Sequence, residues 1–438
     1  MKRKINFMGC MAVAAALAVI TGCAPKKQQY GQRVYAIADA LADEAWGLSK
    51  WISVVDAPVV EGKIEGDKEL SADGASWFVS NVKNEAKVEK AVWITAGLGV
   101  YELYVNGKPI GEEILKPGFT HHDKTKRSFT YDVTDAFNIG AGDENQLAVQ
   151  VTPGWWADKI VTPWGHDGMI GRKCAFRGVL ELTFADGTKQ CMGTDTENWK
   201  AGIAGPVKHA GIFDGERYDA RELPGFATPE KLSTPEENTE FQGEILPSDG
   251  AEVYLRQDLA LNPVKAYTWQ DVEGANDAEG DAKEFGKIVV AEEYAPGAEM
   301  VVKAGQTLVV DFGQNAAAVP SFVFKANEGT ELTCLPSEIL NDGNGARSRG
   351  MDGPEGSVHR DNLRMDDNAI RLVYIFKGGD DYETYHPHCT FFGYRYVRVT
   401  ADAPITVQTA TPEPRSRSAH SRTKNGQMHT LAQRFAIA

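Results

Sequence analysis

Cysteine is scarce. The 438 residues hold only six, and no two stand in a C-x-x-C pair, which removes the commonest zinc-binding spacing. Basic residues are the minority, 46 Lys and Arg against 61 Asp and Glu, for a formal net charge of -15. So acidic an average surface repels nucleic acid and anionic lipid, and neither is expected as a partner. No G-x-S-x-G turn occurs, so the nucleophile elbow of one large hydrolase class is missing. Long helical periodicity is also rare. What remains is 42% hydrophobic and 24% charged, enough for buried cores, and the length predicts two or three domains.

The first residues carry a separate signal. Lys2, Arg3 and Lys4 precede an apolar run from Met8 to Ile20, too short and too rich in small residues for a stable membrane span, so it reads as a signal peptide. Ile20-Thr21-Gly22-Cys23 resembles the cleavage box of bacterial lipoproteins, with cutting before Cys23 and acylation of its thiol; an ordinary signal peptide cut nearby is the alternative. Residues 1–22 are then a leader and 23–45 the lipidated cysteine with a polar tether. The expected location is the cell envelope, periplasmic or outer-membrane, with contact to the membrane through acyl chains only. Setting aside Cys10 and Cys23 leaves Cys174, Cys191, Cys334 and Cys389. Cys174 and Cys191 flank a predicted hairpin, so a bridge between them stays open.

From Trp46 to Thr400 the chain reads as short strands separated by turns. Val100-Tyr101-Glu102-Leu103-Tyr104-Val105 is rich in β-branched and aromatic residues and ends on Asn106-Gly107, a strong two-residue hairpin cue. Gln146–Val151 and Val179–Phe184 alternate with period two. Such spacing predicts a mainly β chain of two antiparallel β-sandwich (jelly-roll-like) domains in tandem. A polar stretch with two prolines from Ala227 to Asn238 suggests a loop or boundary, and the domains are placed at 46–245 and 246–410. Residues 411–438 turn basic, with no acidic residue after Glu413, and predict a disordered tail. A basic arm, a shifted reading frame and a truncated gene all account for that change.

The ordered series Leu98–Lys108, Leu115–Thr120, Tyr131–Thr134, Pro153-Gly154-Trp155-Trp156, Thr194–Lys200 and Asp214–Arg221 resembles the N-terminal domain of bacterial alpha-L-rhamnosidases, glycoside hydrolase family 78. Asp311-Phe312-Gly313-Gln314-Asn315 and Phe392-Gly393-Tyr394-Arg395-Tyr396-Val397 resemble motifs of the β-domain that follows it in that family. The resemblance implies inverting hydrolysis of terminal alpha-L-rhamnose by two acids on an α/α barrel beyond these domains, a geometry that leaves room for an attacking water. The catalytic α/α barrel is absent from the sequence, so no catalytic residue can be carried over and a truncated chain, inactive alone, is expected. The alternatives are a non-catalytic lipoprotein that binds rhamnose-containing glycans and a structural remnant without ligand.

Two clusters invite a ligand reading. Trp155, Trp156 and Trp164 lie around Pro153-Gly154 and Thr162-Pro163; indoles stack on the apolar faces of sugar rings, although packing at the end of a sandwich suits them equally. Asp214, Glu216 and Asp219 form an acidic group in a glycine-containing turn and are candidates for calcium, which takes six to eight oxygens. Calcium binding by related rhamnose-binding modules lends this weight; neutralisation by Arg217 or Arg221 is the plainer alternative. The pairs His121-His122 and His386/His388 are expected to be solvated or packed. No cofactor is required.

Overall fold

The computed structural model describes residues 30–34, 44, 46–55, 74–158, 170–213, 215–248, 252–343, 353–359 and 370–408. The described residues are 53% strand and 6% helix, so the mainly β expectation holds, and no helical barrel occurs among them.

In the first sandwich, an eight-stranded sheet faces a five-stranded one. Its larger sheet is built on Val88–Leu98, flanked by Thr125–Asp132 and Ala175–Phe184. The smaller runs through Trp199–Ala204, Ala75–Lys83, Glu144–Thr152, Val100–Val105 and Lys108–Ile110. Period-two alternation sends Phe78, Tyr101, Leu103 and Val149 inward to meet Trp93, Phe129, Tyr131 and Phe176, as a pleated strand requires. The Asn106-Gly107 turn forms as the sequence predicts: Val105 pairs with Lys108, and φ is 50° and 73° at the two turn residues, the positive values of a type I′ turn. The Asn106 side chain donates to Ala136 O and Asn145 Oδ1, which ties the hairpin to the neighbouring loop.

The five-stranded sheet is covered on its second face as well. Ala75, Trp77, Val79, Val100 and Ala148 pack there with Val207, Ala210, Ile212, Val319 and Cys389. This second apolar layer joins the two sandwiches, and it explains why Ala75–Ser80 is buried without interruption where a one-sided strand would alternate.

The second sandwich sets an eight-stranded sheet against a four-stranded one. Thr307–Ala318 and Phe392–Ala401 are central in the larger sheet, and Met300–Val302, Ile405–Gln408, Phe322–Lys325 and Glu383–Tyr385 make the smaller. Leu308 and Val310 point between the sheets, while Val309 packs on the other side with Tyr267, Ile288 and Tyr396. The hairpin Val207–Gly211/Gly215–Asp219 also belongs to this larger sheet, through a parallel pairing of Gly215–Asp219 with Arg371–Ile375. A division of the chain at residue 245 therefore leaves two strands of the second sandwich on its N-terminal side.

Candidate functional site

At the end of the strand Glu144–Thr152, Pro153 leads into a single helical turn, Gly154–Ala157. Gly154 has φ +50°, and a Cβ there would come within 2.7 Å of the Val100 backbone nitrogen, so only glycine fits this corner without strain. The turn sends its two tryptophans opposite ways. Trp156 is buried at 3% exposure; its indole N–H donates to Lys173 O at 3.0 Å, and Phe241 meets it edge-on. Trp155 is half-buried and packs edge-on to Phe119, with centroids 6.4 Å apart. Phe119 is 62% exposed. Trp164 lies outside the described residues.

Beneath this aromatic rim sits a polar pair that the sequence did not flag. Lys126 is buried in the strand Thr125–Asp132 with its Nζ 4.4 Å from the Trp156 ring centroid and 2.8 Å from His122 Nδ1. Burial pushes Lys126 down to about 7. Burial, then the neighbouring Lys126 charge, pushes His122 down to about 4. A neutral His122 accepting from Lys126 satisfies both directions. Phe119 covers His122 at 4.8 Å between centroids, whereas His121 is exposed beside Asp123. The signal available in sequence was the Leu115–Thr120 motif leading into the paired histidines.

The acidic cluster is split. Asp214 lies outside the described residues. Glu216 and Asp219 stand three apart on one strand, so they face opposite sides of the sheet. Glu216 is fully buried and accepts from the backbone N–H of His388 (2.8 Å) and Cys389 (3.1 Å) and from the Tyr385 hydroxyl (3.1 Å), with His388 Nδ1 3.0 Å away. Burial opposes its ionisation, but the His388 charge and these hydrogen bonds outweigh it and hold the carboxyl below its ordinary value. Asp219 is gripped by Arg221 through Nε (2.9 Å) and Nη2 (2.7 Å), the neutralised-turn alternative. Among the described residues no group of three His, Cys, Asp or Glu is placed to hold a metal ion.

His386 and His388 share a side, with ring centroids 5.1 Å apart, and Cys389 turns away into the layer between the sandwiches. The motif around Asp311 meets the motif around Arg395: the guanidinium makes a two-bond contact with the carboxylate at 2.8 and 2.9 Å. Cys174, Cys191, Cys334 and Cys389 form no disulfide among the described residues. Cys191 pairs with Glu181 across its hairpin, which leaves Cys174 seven residues further along the strand, roughly 20 Å away at strand rise, so a 174–191 bridge does not form.

Residues 86–252 match the alpha-L-rhamnosidase N-terminal domain, and residues 302–412 match the bacterial alpha-L-rhamnosidase concanavalin-like domain. An alpha-L-rhamnosidase from Streptomyces avermitilis is 28% identical over 400 residues, 87% of this chain and 32% of that protein. One from Alteromonas sp. is 27% identical over 315 residues, 72% of this chain and 28% of that protein. The crystal structure of the Streptomyces avermitilis alpha-L-rhamnosidase complexed with L-rhamnose aligns with a TM-score of 0.57 at 26% identity, covering 77% of this chain and 28% of that one. The native Aspergillus terreus enzyme aligns with a TM-score of 0.59 at 20% identity, covering 84% and 36%, a likeness of fold.

Tandem β-sandwiches with this order of motifs define a chain of the N-terminal and concanavalin-like domain classes found in glycoside hydrolases. The chain belongs to the bacterial alpha-L-rhamnosidase family, and it spans about a third of the length of the curated relatives it matches.

Proposed function

We propose that these two domains are the carbohydrate-binding, non-catalytic part of an alpha-L-rhamnosidase, and that by themselves they bind rhamnose-containing glycans without hydrolysing them. The observation that carries the reading is the exposed corner of Phe119 and Trp155 above His122 and Lys126. A flat apolar wall next to polar groups suits a pyranose, which has one apolar face and an edge of hydroxyls. The likeness to a relative crystallised with L-rhamnose supports that choice of sugar.

Hydrolysis needs an acid and a base free to face the glycosidic bond. The buried carboxylates Glu113, Glu216, Glu252, Glu383, Asp158 and Asp219 each accept at least one hydrogen bond from the protein itself, as carboxylates in structural roles do. Titrating the purified chain with L-rhamnose and with an aryl alpha-L-rhamnoside tests both halves of the reading. Millimolar binding seen in tryptophan fluorescence, with no release of the aryl group above buffer, is expected. Turnover that disappears on substituting one acidic residue would overturn it.

An envelope lipoprotein anchored at Cys23 is part of the same proposal. It rests on the charged start, the apolar run and Gly22-Cys23, all outside the described residues. Mass spectrometry of the mature N-terminus should find an acylated cysteine; an unmodified thiol or a different first residue would rule it out.

A further inference from the structure

The second sandwich carries a pocket that is partly open to solvent. A cavity of about 230 Å³ lies between its two sheets. One wall is Leu308, Val310, Phe312, Gln314, Ala316 and Ala318, from the strand Thr307–Ala318, whose pairing with Phe392–Ala401 is interrupted by a bulge between Asp311 and Ala316. The strand starts this wall with bulk and ends it with two alanines, so the space opens where side-chain volume runs out. Val397 and Val399 continue that wall; Met300, Phe322 and Val407 form the opposite one.

Most of these wall residues belong to the buried core cluster, with Phe312 and Ala316 partly buried against it and Gln314 exposed. Protein cores are normally packed to the density of organic crystals, and a partly open pocket of this size at the edge of one departs from that. A dry apolar cavity of roughly 150 Å³ binds benzene, and this one is about half as large again. The exposed Gln314 and Ser321 mark the mouth, and Arg256, Gln408, His386 and Tyr394 add further polar groups to a mostly apolar lining. The Arg256 charge is already matched by Asp258, with Nε to Oδ1 at 2.7 Å, so an anionic ligand gains little there.

We propose that this cavity is a binding site for a small uncharged aromatic group of one or two fused rings, inserted between the sheets with any polar substituent left at the mouth. The site is separate from the Trp155 corner, and it stands whether or not glycan binds there. Apolar surface leaves water on entry, and the site is preformed, so little ordering opposes binding.

Indole and 4-fluorophenol, each titrated against the full chain, test the proposal, with Ala316→Phe and Ala318→Leu as two independent ways of filling the space. In the wild type, millimolar indole should raise Tm by about 2–4 °C, and the fluorine resonance of 4-fluorophenol should broaden. Both effects should vanish in whichever filled variant folds, while the shift produced by L-rhamnose is unchanged. Absence of both effects in the wild type, or their full persistence in the filled variants, would overturn the assignment.

Discussion

Glu216 and His388, 172 residues apart in the chain, are joined by two hydrogen-bonding contacts, one to the backbone N–H and one to the imidazole Nδ1. The strand bearing Glu216 precedes residue 220, and the pair it forms sits inside the second sandwich, with Tyr218 stacked on His388. Removing the carboxylate leaves buried donors without an acceptor. Glu216→Ala is therefore expected to cost about 3–5 kcal/mol, read as a lower urea midpoint.

The same carboxyl makes an acid limb. Its folded pKa lies below the ordinary 4.5, so its stabilising effect is complete above about pH 4.5 and is lost as the pH falls through the folded value. Glu216→Gln keeps an oxygen acceptor and cannot titrate. It should lose stability at pH 7 yet show a shallower decline below pH 4.5, measured by thermal melts from pH 7 to 3. A variant as acid-sensitive as the wild type would remove Glu216 from that limb.

Lys126 and His122 have the same sign at higher pH. Lys126 titrates at about 7 in the fold against 10.5 ordinarily, so between those values the unfolded chain holds the extra proton and stability rises with pH. His122, at about 4 against 6.5, adds a rise between pH 4 and 6.5. Lys126→Met deletes the upper rise and the buried charge beneath it. Its Tm relative to wild type should be most favourable at or below pH 7 and should fall steadily towards pH 10; a constant difference across that range refutes the assignment.

The two neighbouring tryptophans should separate cleanly. Trp156→Ala removes a buried indole and is expected to cost about 3–5 kcal/mol. Trp155→Ala, at the half-exposed corner, should leave Tm within a few degrees and weaken rhamnose binding several-fold. Calorimetry with each variant checks this, and unchanged affinity in Trp155→Ala would place the sugar elsewhere.

Four free thiols are expected in the folded domains. Burial pushes Cys174 up to about 12 and Cys389 well above its ordinary value, so both are poor nucleophiles when folded. Native alkylation should reach Cys191 first, all four should react in urea, and a reducing agent should not shift Tm.

Much of the β architecture was legible because strand alternation and turn chemistry are local. Asn106-Gly107 states its own turn, and the uninterrupted run Leu308-Val309-Val310 states that both faces of its strand are covered. Partnership was not legible. Asp311 and Arg395 each sit in a recognisable motif, but their separation of 84 positions along the chain hides the contact. The acidic group at Asp214, Glu216 and Asp219 looked like one site because adjacency in sequence was read as adjacency in space; a strand turns positions 216 and 219 to opposite faces. Lys126 looked like an ordinary strand lysine, since nothing nearby in sequence announces that Trp156 and Phe241 will close over it.

The loan of the hairpin Val207–Gly211/Gly215–Asp219 to the second sandwich has a consequence for biosynthesis. At about 5–20 residues per second, the ribosome needs roughly 8–30 s to go from Asp219 to the Arg371 strand that receives it. Through that interval the nascent chain carries an unpaired strand edge, and a Glu216 whose donors from residues 385 to 389 have not yet been made. A nascent strand in that condition invites wrong pairing. The first sandwich has its own core complete in residues 52–201, but the face it shares with the second is sealed only once Val319 and Cys389 have been made.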